Sequence, residues 1–318
     1  MPRFNTAVPL LWLRLDAGRT YPFVPGLTIA PIPDWLRGDT GILNRCLSGN
    51  DRALLKECSH CLLFDYAAEA LHAPDPGWVQ GMPHSIQDAK AEQAFIVNLA
   101  LWLRRPTPVG FTFVAHAPES NGEFVIQSVE AGHQPFLCLR RERDQQYSEP
   151  DLEAAAAFYE TLVAIPRASS PWAAIRTLTI ALRTMAYDLR FLLFWMALES
   201  LFGTSSGELA FRISQRIAFF IGDDDLDSRK IFAFMKRSYG LRSKIVHGVR
   251  AGAAHEMGIS EESLYGLETC VRRALGIILQ DRDMRAKFID QRATVEKYLD
   301  QLAFSKRGDP PTGVSTAK

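Results

Sequence analysis

Apolar positions change their spacing part-way along the chain. In the first half, short apolar segments such as Tyr21 to Ile32 are punctuated by prolines and glycines, which mark turns between short elements. Gly110 to His116, Glu123 to Val129 and Pro135 to Leu139 alternate apolar and polar positions, so they are expected to be strands paired in a sheet. Between Ser85 and Arg104, Phe95, Ile96, Leu99, Ala100 and Leu103 recur at helical spacing, and Pro106 follows. This predicts one amphipathic helix that the proline ends. The first half reads as α+β.

The pattern shifts at the charged stretch from Arg140 to Asp151, RRERDQQYSEPD. After it the chain is almost wholly helical in spacing. Ser148 to Asp151 has the polar start and early proline of a helix N-terminus, continued by an alanine-rich helix from Glu153 to Ile165. A further helical stretch follows Ser170 and Pro171, and Trp172 to Phe202 is long enough to hide two helices. Gly203 to Gly207 is the next loop, and Glu208 to Ile221 places Leu209, Ile213, Ile217 and Phe220 on one helix side. The acidic link Gly222 to Ser228 is suited to cap the following helix, since carboxylates favour N-termini. Ser260 to about Phe304 supplies the last helices, with Leu264, Leu267, Val271, Leu275 and Ile278 at core spacing. The expected organisation is an α+β domain over 1–148, an all-α domain over 149–304, and a polar, proline- and glycine-bearing disordered tail over 305–318.

Bulk properties bound the function. A chain of 318 residues exceeds the length of about 250–300 at which single cores stop growing, favouring two domains. With 47% hydrophobic and 23% charged residues, it has the composition of an ordinary globular protein. The apolar stretch Ala7 to Leu13 is interrupted by Arg14 and Asp16 and does not read as a signal peptide. The most apolar run, Phe191 to Ala197, extends only to Phe202 even with Glu199 included, short of the roughly 20 residues of a helical bilayer span. Five scattered cysteines suit free thiols in a reducing compartment, and a cytoplasmic location is expected. The formal net charge of +0 neither attracts nor repels nucleic acid, so any polyanion site must be local.

One segment is locally basic. Ser228 to Arg250, SRKIFAFMKRSYGLRSKIVHGVR, contains seven lysines and arginines and no acidic residue. Ile231, Phe234, Met235, Leu241 and Ile245 can face a core while Lys230, Lys236, Arg237 and Lys244 stay in solvent, a layout that suits phosphates. Charge alone fits equally a solvated helix face balanced by the preceding aspartates. Within the segment, four residues separate Arg242 from His247. An arginine followed after four to six residues by a histidine is expected by chance about twice in a chain this rich in arginine; the other instance, Arg250 to His255, lies in a loop-like VRAGAAH stretch.

The setting distinguishes the first instance. Tyr239 to Gly248, YGLRSKIVHG, is similar to the signature of HEPN domains, and within them of the ApeA-like branch, where an aromatic precedes Arg-Ser-Lys-x-Val-His-Gly near the end of a core helix. Phe191 to Phe202, FLLFWMALESLF, resembles that branch's helix ending in Leu-Glu-x-Leu-Phe. Phe211 to Ala218, FRISQRIA, resembles its Arg-Ile-Ala helix. The resemblance covers roughly residues 187 to 250 in three ordered blocks. It implies an all-α HEPN-type helical bundle acting as a homodimeric, metal-independent endoribonuclease with a composite cleft, using no cofactor, of a kind that often serves as a toxin or in anti-phage defence. The N-terminal domain would then restrain the nuclease or sense an unknown trigger ligand or protein.

The chemistry is coherent with that resemblance. Attack of an RNA 2′-hydroxyl on its neighbouring phosphate needs a base, an acid for the leaving 5′-oxygen, and positive charge on the phosphorane. A histidine such as His247 titrates near neutral pH, and a guanidinium such as that of Arg242 contacts two phosphate oxygens at once. On an ideal helix these two side chains lie about 140° apart, so either the helix ends at Gly248, a plausible C-cap, or two chains contribute to each cleft. Glu199, flanked at helical spacing by Leu192, Trp195, Met196 and Phe202, needs a cationic partner on such a face. It either orients Arg242 in the cleft or forms a structural ion pair with Arg212 or Arg216. Lys244, Arg237 and Lys236 are candidate phosphate contacts. Tyr239 is suited to stack on a base or pack in the core. Ser243 stands where many HEPN nucleases carry asparagine or aspartate. The alternative reading keeps the same helices as a non-catalytic module for dimerisation or for nucleotide or partner binding.

Other motifs lead nowhere. Cys58-Ser-His-Cys61 lacks the second ligand pair that a structural zinc site needs, and no metal ligand set is assigned. His72, His84, His116 and His133 have no motif around them, and no P-loop, nucleophile elbow or His-Glu-x-x-His pattern occurs.

Overall fold

The computed structural model describes residues 3–38, 41–67, 86–137, 146–203, 209–246, 259–290 and 292–305. Its contacts divide the chain into two units, Met1–Val163 and Ala164–Lys318.

The first unit is built on a seven-stranded antiparallel sheet. Its strands are β1 (Arg3–Pro9), β2 (Tyr21–Val24), β3 (Leu27–Pro31), β4 (His60–Ala67), β5 (Phe113–Ser120), β6 (Glu123–Phe124) and β7 (Ser128–Ala131). The order is β2-β3-β4-β1-β5-β6, with β7 also paired to β5. Pro25 and Gly26 turn β2 into β3: proline presets the first turn position, and Gly26 adopts φ 76 at the second, as a type II turn demands. Asn121 (φ 55) and Gly122 (φ 83) turn β5 into β6, the asparagine–glycine pair of a tight hairpin.

Helices α1 (Asp34–Arg37), α2 (Gly41–Cys46) and α3 (Gly49–Glu57) cover one face. There Leu36, Leu43 and Leu47 join Ala7, Phe113 and Ala115 in one apolar cluster. On the opposite face α4 (Ile86–Arg104) packs on β1 and β5, and its Lys90 lies 5.1 Å over Phe64. With both faces covered, Thr6 to Pro9 and Phe113 to Ala117 are buried without alternation, the pattern of strands between two layers.

Helix α5 (Glu149–Ala164) starts where the polar Ser148 predicted. The Ser148 backbone N–H donates to Asp151 Oδ2 at 3.1 Å, and the Asp151 N–H donates back to the Ser148 hydroxyl, a reciprocal cap. Its N-terminus is tied to the sheet unit, because Arg104 Nε donates to Asp151 Oδ1 at 2.8 Å; by contacts most of α5 belongs with the first unit. The strand expected over Pro135–Leu139 is a correction. Pro135 to Leu137 form no strand, and the last two residues lie outside the described ones. A Cβ on Gly110 would lie 2.3 Å from Pro135 Cβ, so Pro135 packs directly on the Gly110 backbone, and proline has no N–H to pair. The expected strand Glu123–Val129 is divided between β6 and β7.

The second unit is helical throughout its described residues: α6 (Ser170–Ala181), α7 (Tyr187–Phe202), α8 (Leu209–Ile221), α9 (Asp225–Val246), α10 (Glu261–Gln280), α11 (Arg282–Ile289) and α12 (Arg292–Ser305). The single run Trp172 to Phe202 is indeed two helices. Ser169 caps α6 through the Trp172 N–H, Ser260 caps α10, and Asp281 caps α11. Helices α6 and α7 pack together, α8 packs on α9, and α10 runs against α7 and α8. Among the described residues, two arginines are buried in this bundle. Arg190 pairs with Glu268 at 3.2 Å, both nearly inaccessible. Arg216, 2% exposed, donates to the Phe202 and Gly203 carbonyls at the end of α7 and to Asp300 on α12, closing backbone acceptors that a helix end leaves open. Among the described residues, no helix is long and apolar enough to cross a membrane. From Lys306 onward the expected tail lies outside the described residues.

Candidate functional site

Helices α7 and α9 meet through side chains the sequence singled out. On α7, Phe191, Phe194, Trp195 and Leu198 are fully buried, and Glu199 follows Trp195 by four residues on the same flank. Helix α9 begins at the acidic link. The Asp227 N–H donates to Asp224 Oδ1, and Asp227 is held below the usual carboxylate range by the Asp223 N–H first and by Arg273 of α10 as well. Carboxylates in that first turn favour the helix dipole, and α9 then runs unbroken through the basic segment to Val246.

Two contacts join the helices, and a third within α9 links them. Arg242 Nη2 donates to Glu199 Oε2 at 2.8 Å, and the two side chains are 22% and 21% exposed. Arg242 Cζ lies 5.5 Å from the Tyr239 ring centroid, within cation–π range. Tyr239 in turn meets Trp195 edge-on at 5.3 Å. A column of Trp195, Tyr239 and Arg242 therefore stands beside Glu199, with the guanidinium held at one nitrogen by Glu199 and over the Tyr239 ring. Its Nε and Nη1 donors have no acceptor among the described residues. Glu199 Oε1 is buried and likewise without a partner among them. This leaves donors for a phosphate and one acceptor for a further proton-bearing group.

Of the two partners first considered for Glu199 besides Arg242, Arg216 is committed to Phe202, Gly203 and Asp300. Tyr239 and Ser243 are half-buried; Lys236, Arg237 and Lys244 are exposed. His247, Gly248, Arg250 and His255 lie outside the described residues, as do His72 and His84. Sequence reasoning did not single out Trp195 as the support of Tyr239, although its place four residues before Glu199 was a signal. A groove of about 740 Å³ belongs to the first unit and contains none of these residues.

Several other chemistry-bearing groups among the described residues are engaged structurally. Cys58, Cys61 and Cys270 are buried, which pushes each thiol up to about 12, far from the thiolate that reactivity needs. His116 Nδ1 lies 2.8 Å from Thr6 Oγ1 inside the sheet. Burial lowers the pKa of His60.

No family model, curated protein or solved structure matches this chain.

Proposed function

We propose that this chain is a metal-independent endoribonuclease of the HEPN type, acting as a homodimer in the cytoplasm with its helical unit as the catalytic part. The observation that carries the reading is the restraint of Arg242: an arginine in the Arg-Ser-Lys-x-Val-His setting is gripped by Glu199 and Tyr239 with two donor edges left over. A guanidinium so oriented suits the non-bridging oxygens of a phosphorane, where preorganised charge lowers the barrier most.

In this mechanism His247 takes the 2′-hydroxyl proton or delivers one to the departing 5′-oxygen, with the second role falling to a group of the same or the partner chain. Glu199 acts through Arg242 and is a positioning residue. Lys244, Arg237 and Lys236 bear on flanking phosphates. Because side chains supply base, acid and charge, the reaction proceeds in chelator. Unrestrained RNA cleavage would poison the cell that makes it, so the sheet unit restrains the nuclease or senses a trigger, a toxin or anti-phage arrangement.

A second reading is favoured by the same ion pair. If Arg242 serves only to tie α9 to α7, the unit is an interaction module. The two part on incubating the full chain and His247→Ala with labelled single-stranded RNA in EDTA. Cleavage by wild type alone is expected. Intact RNA with a well-folded wild-type dimer, together with a sharp fall in melting temperature for Arg242→Ala, favours the module.

A further inference from the structure

Helices α8 and α9 leave an aromatic groove of about 440 Å³ on their outer side, lined by Phe211, Gln215 and Phe219 from α8 and by Asp225, Arg229 and Phe232 from α9. The α8 residues recur every four positions and share one helix face. Phe211 is 45% exposed, whereas Phe191, Phe194 and Phe202 of the same unit are fully buried. Its ring meets Phe232 edge-on at 5.5 Å. Open aromatic faces in a groove are what an unpaired nucleobase stacks on.

Beside the groove, α9 carries a cationic ridge. Arg229, Lys230, Lys236, Arg237, Gly240 and Lys244 are all exposed, and on an ideal helix they fall within an arc of about 120°. From Arg229 to Lys244 the ridge runs about 22 Å along the axis. Arg229, Lys236, Arg237 and Lys244 have no ion-pair or hydrogen-bond partner among the described residues. Helix α8 contains no carboxylate, and those of α9 are confined to its first turn. Gly240 stands bare in mid-ridge. A Cβ there would meet nothing within 4 Å among the described residues, so the described fold gains nothing from a residue that weakens a helix relative to alanine. A missing side chain between cations does let a phosphate reach closer to the backbone. A second copy of this chain laid two-fold symmetrically on the face would set the ridge against itself, like charge on like.

We propose that the outer surface of α8 and α9 binds single-stranded RNA, with phosphates along the ridge across Gly240 and one unpaired base stacked among Phe211, Phe219 and Phe232. Gln215 and Asp225 are the polar groups available to that base's edge. The choice of RNA over DNA rests on the ribonuclease reading; charge and stacking do not tell the two apart, so single-stranded DNA is expected to bind within about tenfold.

The test uses full-length His247→Ala protein and a labelled oligouridine of about 20 nucleotides, followed by anisotropy across a salt series. Phe211→Ala is expected to weaken binding about 5- to 140-fold, the loss for one stacked base, at an unchanged salt slope. Arg237→Gln is expected to flatten the slope of log K against log salt by about 0.7. Gly240→Leu is expected to weaken binding at least about tenfold while the melting temperature holds or rises. Gly276→Ala, at a glycine of α10 that also has open space around its Cβ, leaves affinity unchanged. Unchanged affinity in both Phe211→Ala and Gly240→Leu overturns the proposal, as does a change of oligomeric mass in Gly240→Leu, which would make the face a protein interface. In the wild-type background, cleavage with undiminished affinity in those two variants removes this track and leaves the ribonuclease; binding without cleavage does the reverse.

Discussion

Removing the Glu199 charge with Glu199→Gln isolates the contact on which the site depends, because the amide keeps the shape and can still accept one hydrogen bond. The wild-type contact is a charge-assisted N–H···O bond of 2.8 Å between side chains 22% and 21% exposed. Unit charges about 4 Å apart attract by about 4 kcal/mol at an effective dielectric of about 20, before either loses water. Desolvation and side-chain ordering offset much of that; fully exposed pairs retain only about 0.2–1 kcal/mol, and hydrogen bonds to charged groups about 1.5–3 kcal/mol. A half-buried pair belongs between them, at about 1–2 kcal/mol. The assay is a double-mutant cycle of Glu199→Gln and Arg242→Met in urea unfolding, because the cycle cancels what each substitution does to the rest of the bundle. Parallel RNA cleavage should fall at least about tenfold in Glu199→Gln, since a misaimed guanidinium forfeits transition-state charge stabilisation. A coupling below about 0.3 kcal/mol, within the error of additivity, with wild-type cleavage, would refute the positioning role.

The buried Arg190–Glu268 pair should behave differently: Arg190→Met takes a cation from a buried carboxylate and is expected to cost about 3–5 kcal/mol in urea unfolding, whereas Arg190→Met with Glu268→Leu recovers most of that loss. If the double variant is as unstable as the single, the pair is not what Arg190 contributes. Stability should also fall in acid. Burial alone would raise Asp151, but the Ser148 N–H and hydroxyl and Arg104 outweigh it and hold the carboxyl below its ordinary value. The folded pKa is therefore the lower one, so the contribution is complete above the unfolded value of about 3.9 and is lost as pH falls below it. Asp151→Asn should flatten that part of the stability–pH curve, and an unchanged curve would exclude Asp151 as its source.

Legibility followed exposure. The helices of the second unit, each with a water-facing side, show their apolar spacing plainly, and α6 and α7 needed only the break at 182–186 to separate them. Strands β1 and β4 escaped notice because their cores are covered on both faces, which erases the alternation that marks a strand. The run Glu123–Val129 alternates like one strand, yet residues 125–127 leave the ladder and divide it into β6 and β7. Pro135–Leu139 alternates, yet its proline cannot pair and its neighbour Gly110 admits it by packing. In the site, the basic face of α9 and the need of Glu199 for a cation were readable; its choice of Arg242 over Arg216 was not. That choice depends on Asp300, which lies 84 residues from Arg216 and draws it to the end of α7. No local pattern announces that Arg190, Arg216 and Glu268 are more deeply buried than Glu199.

The most direct test of the ribonuclease is end-group analysis of products from a single-stranded RNA and its 2′-O-methyl counterpart, each incubated with the full chain in EDTA. Attack by the 2′-hydroxyl requires cleavage of the first alone, leaving 2′,3′-cyclic phosphate and 5′-hydroxyl ends, with Arg242→Ala and His247→Ala inactive though folded. Cleavage of both substrates, 5′-phosphate ends, or equal activity in either folded variant would contradict the proposed chemistry.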